Sequence, residues 1–578
     1  MFDFNLIGMK TKNKIWIYPL IVIEFVLILV NSCKKDNLNA EPDSIPVVSK
    51  VYTTLDRTIV PDAVPVIPTV LINDPANFAQ HGYGTWHYGP GVPCQKRIDI
   101  MPSGYSYASV TKTSTLLRFF TISDIHITDK ESPAQAIFFA PFAGQNGISC
   151  YSPLMLYTTQ VLDATVKTIN DLHKQNPFDL GLSLGDMANS AQHNELRWFI
   201  DIMDGQTITP SSGVQNPGTN NHYQDAFKAV GLNPSIPWYA TIGNHDHFWM
   251  GTKPINTKIQ NAMIGDSILQ LGNIFTDLNA MSENTYSMGT LDGSTKYGTI
   301  IGSGVVATMG TIPTVSPDPN RHALTISDWV NQFSTTTSPP TGHGFIQSDP
   351  ANVLGACYSF VPKSKVPLKI IVLDDTQDAT EAPYEEGIYG HGELTTDRYN
   401  WLMAQLQAGQ DANQLMIISA HIPIGVSAVG TPMDWKPVLP GYSSEKNLIA
   451  KLQSFPNLIL WVSGHRHLNN VTAFQSADPT HPENSFWEVE TKSLREFPEE
   501  FRTFDIVRNS DNTISIITTD VDPDMADGSL AAIGRSYAIA SNQIYGLYGQ
   551  PLATGSVSYN AELVKQLSPG MKNKIMNY

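Results

Sequence analysis

The sequence predicts an α/β fold built of layered sheets and helices, on three observations. Five apolar runs rich in branched and aromatic residues are each closed by a short polar motif, the mark of buried strands ending in loops. Between them lie helical apolar periods, as at Leu162, Val166, Ile169 and Leu172 and again over 394–406, so strands alternate with helices and the sheet is covered on both faces. Beyond residue 467 the pattern changes to short strands at 470–474, 486–490, 502–507 and 513–518, expected to form the second sheet of a sandwich.

Taken in order, the first segment is not part of the fold. Lys10, Lys12 and Lys14 precede an apolar stretch, 15–30, that ends in Val30-Asn31-Ser32-Cys33. A basic segment, an apolar segment and a small residue before Cys resemble a bacterial lipoprotein signal. The resemblance implies removal of residues 1–32, lipid attachment to Cys33 and a bacterial envelope location, facing periplasm or exterior. The competing reading is a membrane span, but Pro19 and Glu24 interrupt the stretch and a span needs about 20 apolar residues. Residues 33–115 are expected to be a tether and an irregular N-terminal extension, with a loop over the Gly- and Tyr-rich 82–91.

The strands then follow one another. Run 116–122 leads to Asp124-Ile125-His126, and run 180–184 to Gly185-Asp186. Run 236–242 leads to Gly243-Asn244-His245-Asp246, 415–420 to His421, and 458–463 to Gly464-His465-Arg466-His467. A Gly-, Ser-, Thr- and Pro-rich insertion at about 250–360 interrupts the expected main domain, 116–525; insertions of that length are usually caps over a site or elaborated loops. The tail, 526–578, is expected to pack on that domain, with a helix over 559–567 docked at the surface.

Composition narrows the function. A net charge of −17 with no basic stripe argues against a nucleic-acid-binding surface. An acidic chain can still hold an anionic substrate if metal ions supply the positive charge. Besides Cys33, three cysteines remain, Cys94, Cys150 and Cys357. At most one disulfide can form among them, none has metal-ligand spacing, and all three are expected to be buried packing residues. The pairing, like the oligomeric state, is left open by the sequence.

Each polar motif is weak alone, since Gly-Asp is usually a turn and His-x-His occurs by chance. Their conjunction is strong, because ligands gather at the carboxyl ends of strands in layered α/β folds. A carboxylate can span two cations, neutral imidazoles suit borderline transition metals, and an amide oxygen adds a ligand without charge. No Gly-x-Ser-x-Gly elbow surrounds Ser183 or Ser419, which argues against a serine hydrolase.

The ordered set resembles the calcineurin-like metallophosphoesterase superfamily over residues 116 to about 520. That resemblance implies a four-layer α/β/β/α sandwich of two mixed sheets and a dinuclear centre of Mn, Fe or Zn. It places Asp124, His126, Asp186 and His467 on one ion and Asp186, Asn244, His421 and His465 on the other, with Asp186 bridging. It makes His245 the proton donor to the departing oxygen, with Asp246 orienting its ring. The reaction implied is hydrolysis of a small phosphoester by in-line attack of a metal-bridging hydroxide, as a phosphodiesterase or phosphatase. Purple acid phosphatases carry a Tyr where this chain has Asn189, and they lack His126, so a tyrosinate-iron centre is not expected. Arg466, Arg495 and His391 are further candidates to meet a phosphate, with surface or structural ion pairs as the alternative; His247 and Trp249 are read as structural, with a place in the pocket wall as the alternative. The rival function is an envelope lipoprotein with such a domain that binds a ligand without turnover.

Overall fold

The structure is a computed structural model that describes residues 51–64, 70–140, 151–213, 222–272, 285–347, 354, 356–377, 389–424, 445–547 and 557–578. The signal segment, Cys33 and Cys150 lie outside the described residues.

Two mixed sheets carry the molecule. The seven-stranded sheet contains β1 (Gln95–Arg97), β2 (Lys112–Ile122), β3 (Leu180–Ser183) and β4 (Trp238–Ala240). The six-stranded sheet contains β5 (Tyr358–Phe360), β6 (Leu368–Val372), β7 (Leu415–Ser419), β8 (Leu458–Ser463), β9 (Asn470–Phe474) and β10 (Phe486–Glu490). Three later strands, β11 (Phe501–Asn509), β12 (Ile514–Val521) and β13 (Ala561–Lys565), return to the first sheet. The orders are β1-β13-β12-β11-β2-β3-β4 and β5-β6-β7-β8-β10-β9. The motif-bearing strands are parallel within each sheet, β2 with β3 with β4 and β7 with β8. Their carboxyl ends therefore lie along one edge of each sheet.

Alternation along the strands separates the two faces. In the six-stranded sheet, Ile370, Val372, Ile417 and Val462 share a core with Phe119, Leu182 and Phe504 of the other sheet. Ile371, Met416, Ile418 and Trp461 pack instead with Leu402 and Leu406 of α3 (Thr396–Asp411) and Leu448 and Leu452 of α4 (Glu445–Leu452). Strands covered on both faces need apolar side chains at every position, which is why they read as unbroken runs. On the other sheet, Leu162, Val166, Ile169 and Leu172 of α1 (Thr158–Gln175) join the core with Leu196, Phe199 and Ile200 of α2 (His193–Met203).

Four expectations are corrected. The strands after residue 467 do not form one sheet: β9 and β10 extend the sheet of β8, whereas β11 and β12 pair antiparallel beside β2. The expected helix at 559–567 is β13, buried between β1 and β12. Tyr559, Leu563 and Leu567 are spaced by four, a separation that satisfies both a helix face and a strand face. Within the expected loop at 82–91, Trp86–Pro90 is a strand paired with Arg57–Pro61. Cys94 is exposed rather than buried, while Cys357 is buried, and both are free thiols. Strand β1, from the expected N-terminal extension, and β13, from the expected tail, both pair into the seven-stranded sheet. The 250–360 insertion holds its own small antiparallel sheet, Gln270–Leu271, Tyr286–Leu291 and Ile300–Val305.

Candidate metal centre

The two sheets meet at their strand ends through polar cross-ties. Thr121 Oγ1 bonds Thr491 Oγ1 at 2.8 Å, and Thr241 Oγ1 bonds Ser419 Oγ at 3.0 Å. The His421 ring, beyond β7, donates from Nδ1 to the carbonyl of Leu184, beyond β3, at 2.8 Å. The turns that follow the strands are tight. Asp124, His126, Asp186, His465 and His467 all have left-handed backbones, with φ between 48° and 68°. Such a conformation costs non-glycine residues about 1–3 kcal/mol each and concentrates at functional sites. Two glycines allow the turns to close. A Cβ on Gly464 would sit 1.9 Å from Ser123 Oγ and 2.4 Å from Asp124 Oδ2, and one on Gly243 would sit 2.2 Å from Asp186 Oδ1.

The turns bring seven donor atoms together. His467 Nε2 lies 3.2 Å from Asp124 Oδ1 and 3.2 Å from His126 Nε2, which is 3.7 Å from Asp186 Oδ2. The same Asp186 oxygen is 3.3 Å from His421 Nε2. His421 Nε2 is 2.9 Å from Asn244 Oδ1 and 3.3 Å from His465 Nδ1, and Asn244 Oδ1 is 3.0 Å from His465 Nδ1. Donors about 2.1 Å from a common ion stand roughly 3.0–3.4 Å apart; five of these seven separations fall in that range, and Asp186 Oδ2 lies near both groups of donors. The clusters Asp124–His126–His467 and Asp186–His421–His465 are each tight enough to hold a metal ion; His126–Asp186–His245 is a third such grouping.

Outer contacts aim the donors. Asn244 Nδ2 donates to the Gly251 carbonyl at 2.9 Å, turning Oδ1 inward. His421 Nδ1 on Leu184 and His467 Nδ1 on Glu496 Oε1, at 3.2 Å, turn each Nε2 toward the centre. Asp375 accepts from the backbone N–H groups of His421 and Ile422, and burial pushes its carboxyl up to about 7.

The electrostatics fit metal ions. Burial drives His126 and His465 well below the ordinary imidazole value, helped by His245 and His421 respectively. Burial opposes charge on His421 and His467 as well, yet Asp186 holds the first at about 10, and Asp124 with Glu496 holds the second at about 9. Asp186 is favoured in its neutral form by burial but is held well below the usual carboxylate range, chiefly by His421 and His245. The bare cluster thus recruits protons to face its carboxylates, which is where bound cations would take their place.

The expected Asp246–His245 pair is corrected. Asp246 Oδ2 accepts from the backbone N–H groups of Asp186 (3.0 Å) and Gly243 (2.8 Å), and Oδ1 from those of Met187 and Ala188 (both 3.0 Å). Burial and Asp186 raise its carboxyl to about 7 against these four donors. Its oxygens are saturated by main chain, so Asp246 ties the Asp186 turn to the Asn244 turn. The His245 ring is oriented instead by the Asn189 carbonyl, which accepts from Nδ1 at 2.6 Å. Asn189 is the position where a tyrosinate centre would need Tyr.

Sequence reasoning passed over Glu496, Asp375 and the Asn189 carbonyl. Asp375 had a signal, since the apolar run Leu368–Val372 and Leu373 is closed by Asp374-Asp375 in the manner of the other strand ends. A backbone carbonyl leaves no such trace. Arg466 is spent on a two-bond ion pair with Glu490, at 2.5 and 2.7 Å. His247 bonds Thr376 Oγ1, and Trp249 donates to the Ala134 carbonyl. His391 is buried, its backbone N–H on Gln377.

No protein-family model matches this chain, and no curated protein does. Among solved structures, a crystal structure of a dimetal phosphatase from Danio rerio is similar over 71% of this chain and 97% of its own, at 10% identity and a TM-score of 0.35. At that level of likeness, the reading of the site rests on its own donor geometry.

Proposed function

We propose that this chain is a dinuclear-metal-dependent hydrolase of small phosphoesters, a phosphodiesterase or phosphatase of the calcineurin-like metallophosphoesterase superfamily, arranged as a four-layer α/β/β/α sandwich. The observation that carries the reading is Asp186 Oδ2, shared between two converging sets of nitrogen and oxygen donors. Asp124, His126, Asp186 and His467 would hold one ion and Asp186, Asn244, His421 and His465 the other. Two divalent ions of Mn, Fe or Zn there would supply Lewis acidity for the phosphoryl oxygens and allow water to act as nucleophile at neutral pH.

The chain's own residues do the rest. The backbone carbonyl of Asn189 fixes the His245 tautomer with its proton on Nδ1, so Nε2 is the atom that passes a proton to the departing oxygen. Burial pulls His245 below its ordinary value, which makes its protonated ring a stronger donor. Asp246 and Gly243 fix the distance between the His245 turn and the Asp186 turn. Lipid attachment at Cys33 would hold the enzyme at the bacterial envelope, tethered to a membrane rather than spanning it; no helix among the described residues is long and apolar enough to cross one.

The test is hydrolysis of p-nitrophenyl phosphate and bis-p-nitrophenyl phosphate by protein loaded with Mn, Fe or Zn. The expected result is about two ions per chain and a rate that falls at least ~100-fold on chelation and returns with metal. Two bound ions without turnover of any phosphoester would favour the ligand-binding alternative.

A further inference from the structure

The peptide group that holds the His245 ring is itself held. Asn189 contributes the carbonyl that accepts from His245 Nδ1 at 2.6 Å, and the N–H of the same peptide unit, on Ser190, donates to Glu195 Oε2 at 2.9 Å. The carbonyl and N–H of one trans peptide lie in one plane and point opposite ways, so a bond that fixes the N–H end also aims the carbonyl end. Hydrogen bonds in such a chain polarise one another as well, each strengthening the next by about 10–30%.

Glu195 is in the first turn of α2 and fully buried. An acidic residue there ordinarily serves the first N–H groups of its own helix. Glu195 reaches beyond them. Its Oε2 also receives the Asn189 N–H at 3.2 Å, which is shared with the Ile127 carbonyl at 3.0 Å, and Oε1 receives the Asp129 N–H at 2.8 Å. One carboxyl thereby ties the loop that follows His126 to the loop that follows Asp186. Burial pushes it up to about 8 against the pull of the backbone N–H groups, so it acts here through hydrogen bonds and not through net charge. Asp246, the carboxyl next to His245 in sequence, is saturated by other main-chain groups.

We propose that Glu195 is a positioning residue for proton transfer to the leaving group. Through the Ser190 N–H it aims the Asn189 carbonyl, and through that carbonyl it keeps His245 Nε2 turned to the departing oxygen. No proton travels along the chain, and Glu195 acts only through residues 189 and 190. The proposal rests on the hydrolase reading above.

The test compares kcat of the metal-loaded full chain on esters with different leaving groups, p-nitrophenyl phosphate against benzyl phosphate and bis-p-nitrophenyl phosphate against dibenzyl phosphate. Glu195→Ala is expected to keep about two ions and to lose about 10- to 100-fold on the benzyl esters, whose alkoxide needs a proton, but no more than about 3-fold on the nitrophenyl esters. In the His245→Ala background the same substitution should change benzyl-ester kcat by less than about 3-fold, because the two residues act as one unit. A purely structural role would lower both leaving groups equally and add its loss to that of His245→Ala; either result overturns the proposal and leaves the hydrolase reading standing. Metal content and Tm are read for each variant. If Glu195→Ala loses its fold or its ions, Glu195→Gln, which keeps one acceptor oxygen, decides by the same comparison, with a selective loss of about 3-fold or more expected. Loss of fold or ions in both variants assigns Glu195 to the scaffold and overturns the proposal. Wild type that turns over nitrophenyl but not benzyl esters overturns it too, since no proton donor is then at work. No turnover of any ester overturns the proposal and the hydrolase reading together.

Discussion

Replacing Asp186 with alanine is expected to remove both ions and turnover in one step. Its Oδ2 is the atom common to the two donor sets, 3.7 Å from His126 Nε2 and 3.3 Å from His421 Nε2, while Oδ1 accepts the His245 backbone N–H at 2.8 Å. Of the seven donors only Asp124 and Asp186 are carboxylates, so the change halves the negative charge that would offset two bound dications. It also releases the turn that presents His245. Metal content should fall from about two ions per chain to well under one, and kcat/KM by at least ~1,000-fold, beyond the 10–100-fold typical of outer-contact changes. Elemental analysis and the nitrophenyl assays read both. A variant that kept two ions and a tenth of its activity would show that Asp186 does not bridge.

His245→Ala is expected to separate what Asp186→Ala removes together. The ring belongs to neither proposed four-residue shell, although it lies near enough to His126 and Asp186 to form a third possible set. If it is the proton donor, the variant keeps about two ions while kcat falls by about 100- to 10,000-fold on esters with alkoxide leaving groups. With nitrophenolate, which departs without a proton, the loss should shrink to about 10-fold or less. Metal content distinguishes ligand from acid, and the slope of log kcat against leaving-group pKa should steepen in the variant. Equal losses across leaving groups would contradict the acid role.

Much of this cluster of Asp, Asn and His side chains was legible in the sequence. The positions of the clustered side chains follow from apolar runs that end in Asp, Asn or His, because a strand buried on both faces must be apolar throughout and its first polar residue marks the sheet edge. What the runs do not encode is which strands pair. Strands β9 and β10 were expected beside β11 and β12, yet the first two join β8 and the last two join β2. That choice is made by long-range packing, to which local periodicity is blind. The 559–567 segment failed for a different reason, a four-residue spacing compatible with two periods. Asp246 next to His245 in sequence was a persuasive pair, but neighbours in a tight turn point apart, and the ring met a carbonyl from residue 189 instead. The left-handed backbones at five of the clustered residues were also invisible, since nothing about Asp or His as residue types calls for them.

The most direct test is anomalous diffraction from crystals of the metal-loaded protein. Two peaks are predicted, about 3.5–4 Å apart, with Asp186 Oδ2 between them. Asp124, His126 and His467 should coordinate one, and Asn244, His421 and His465 the other. A single peak, or peaks away from these side chains, would contradict a dinuclear centre.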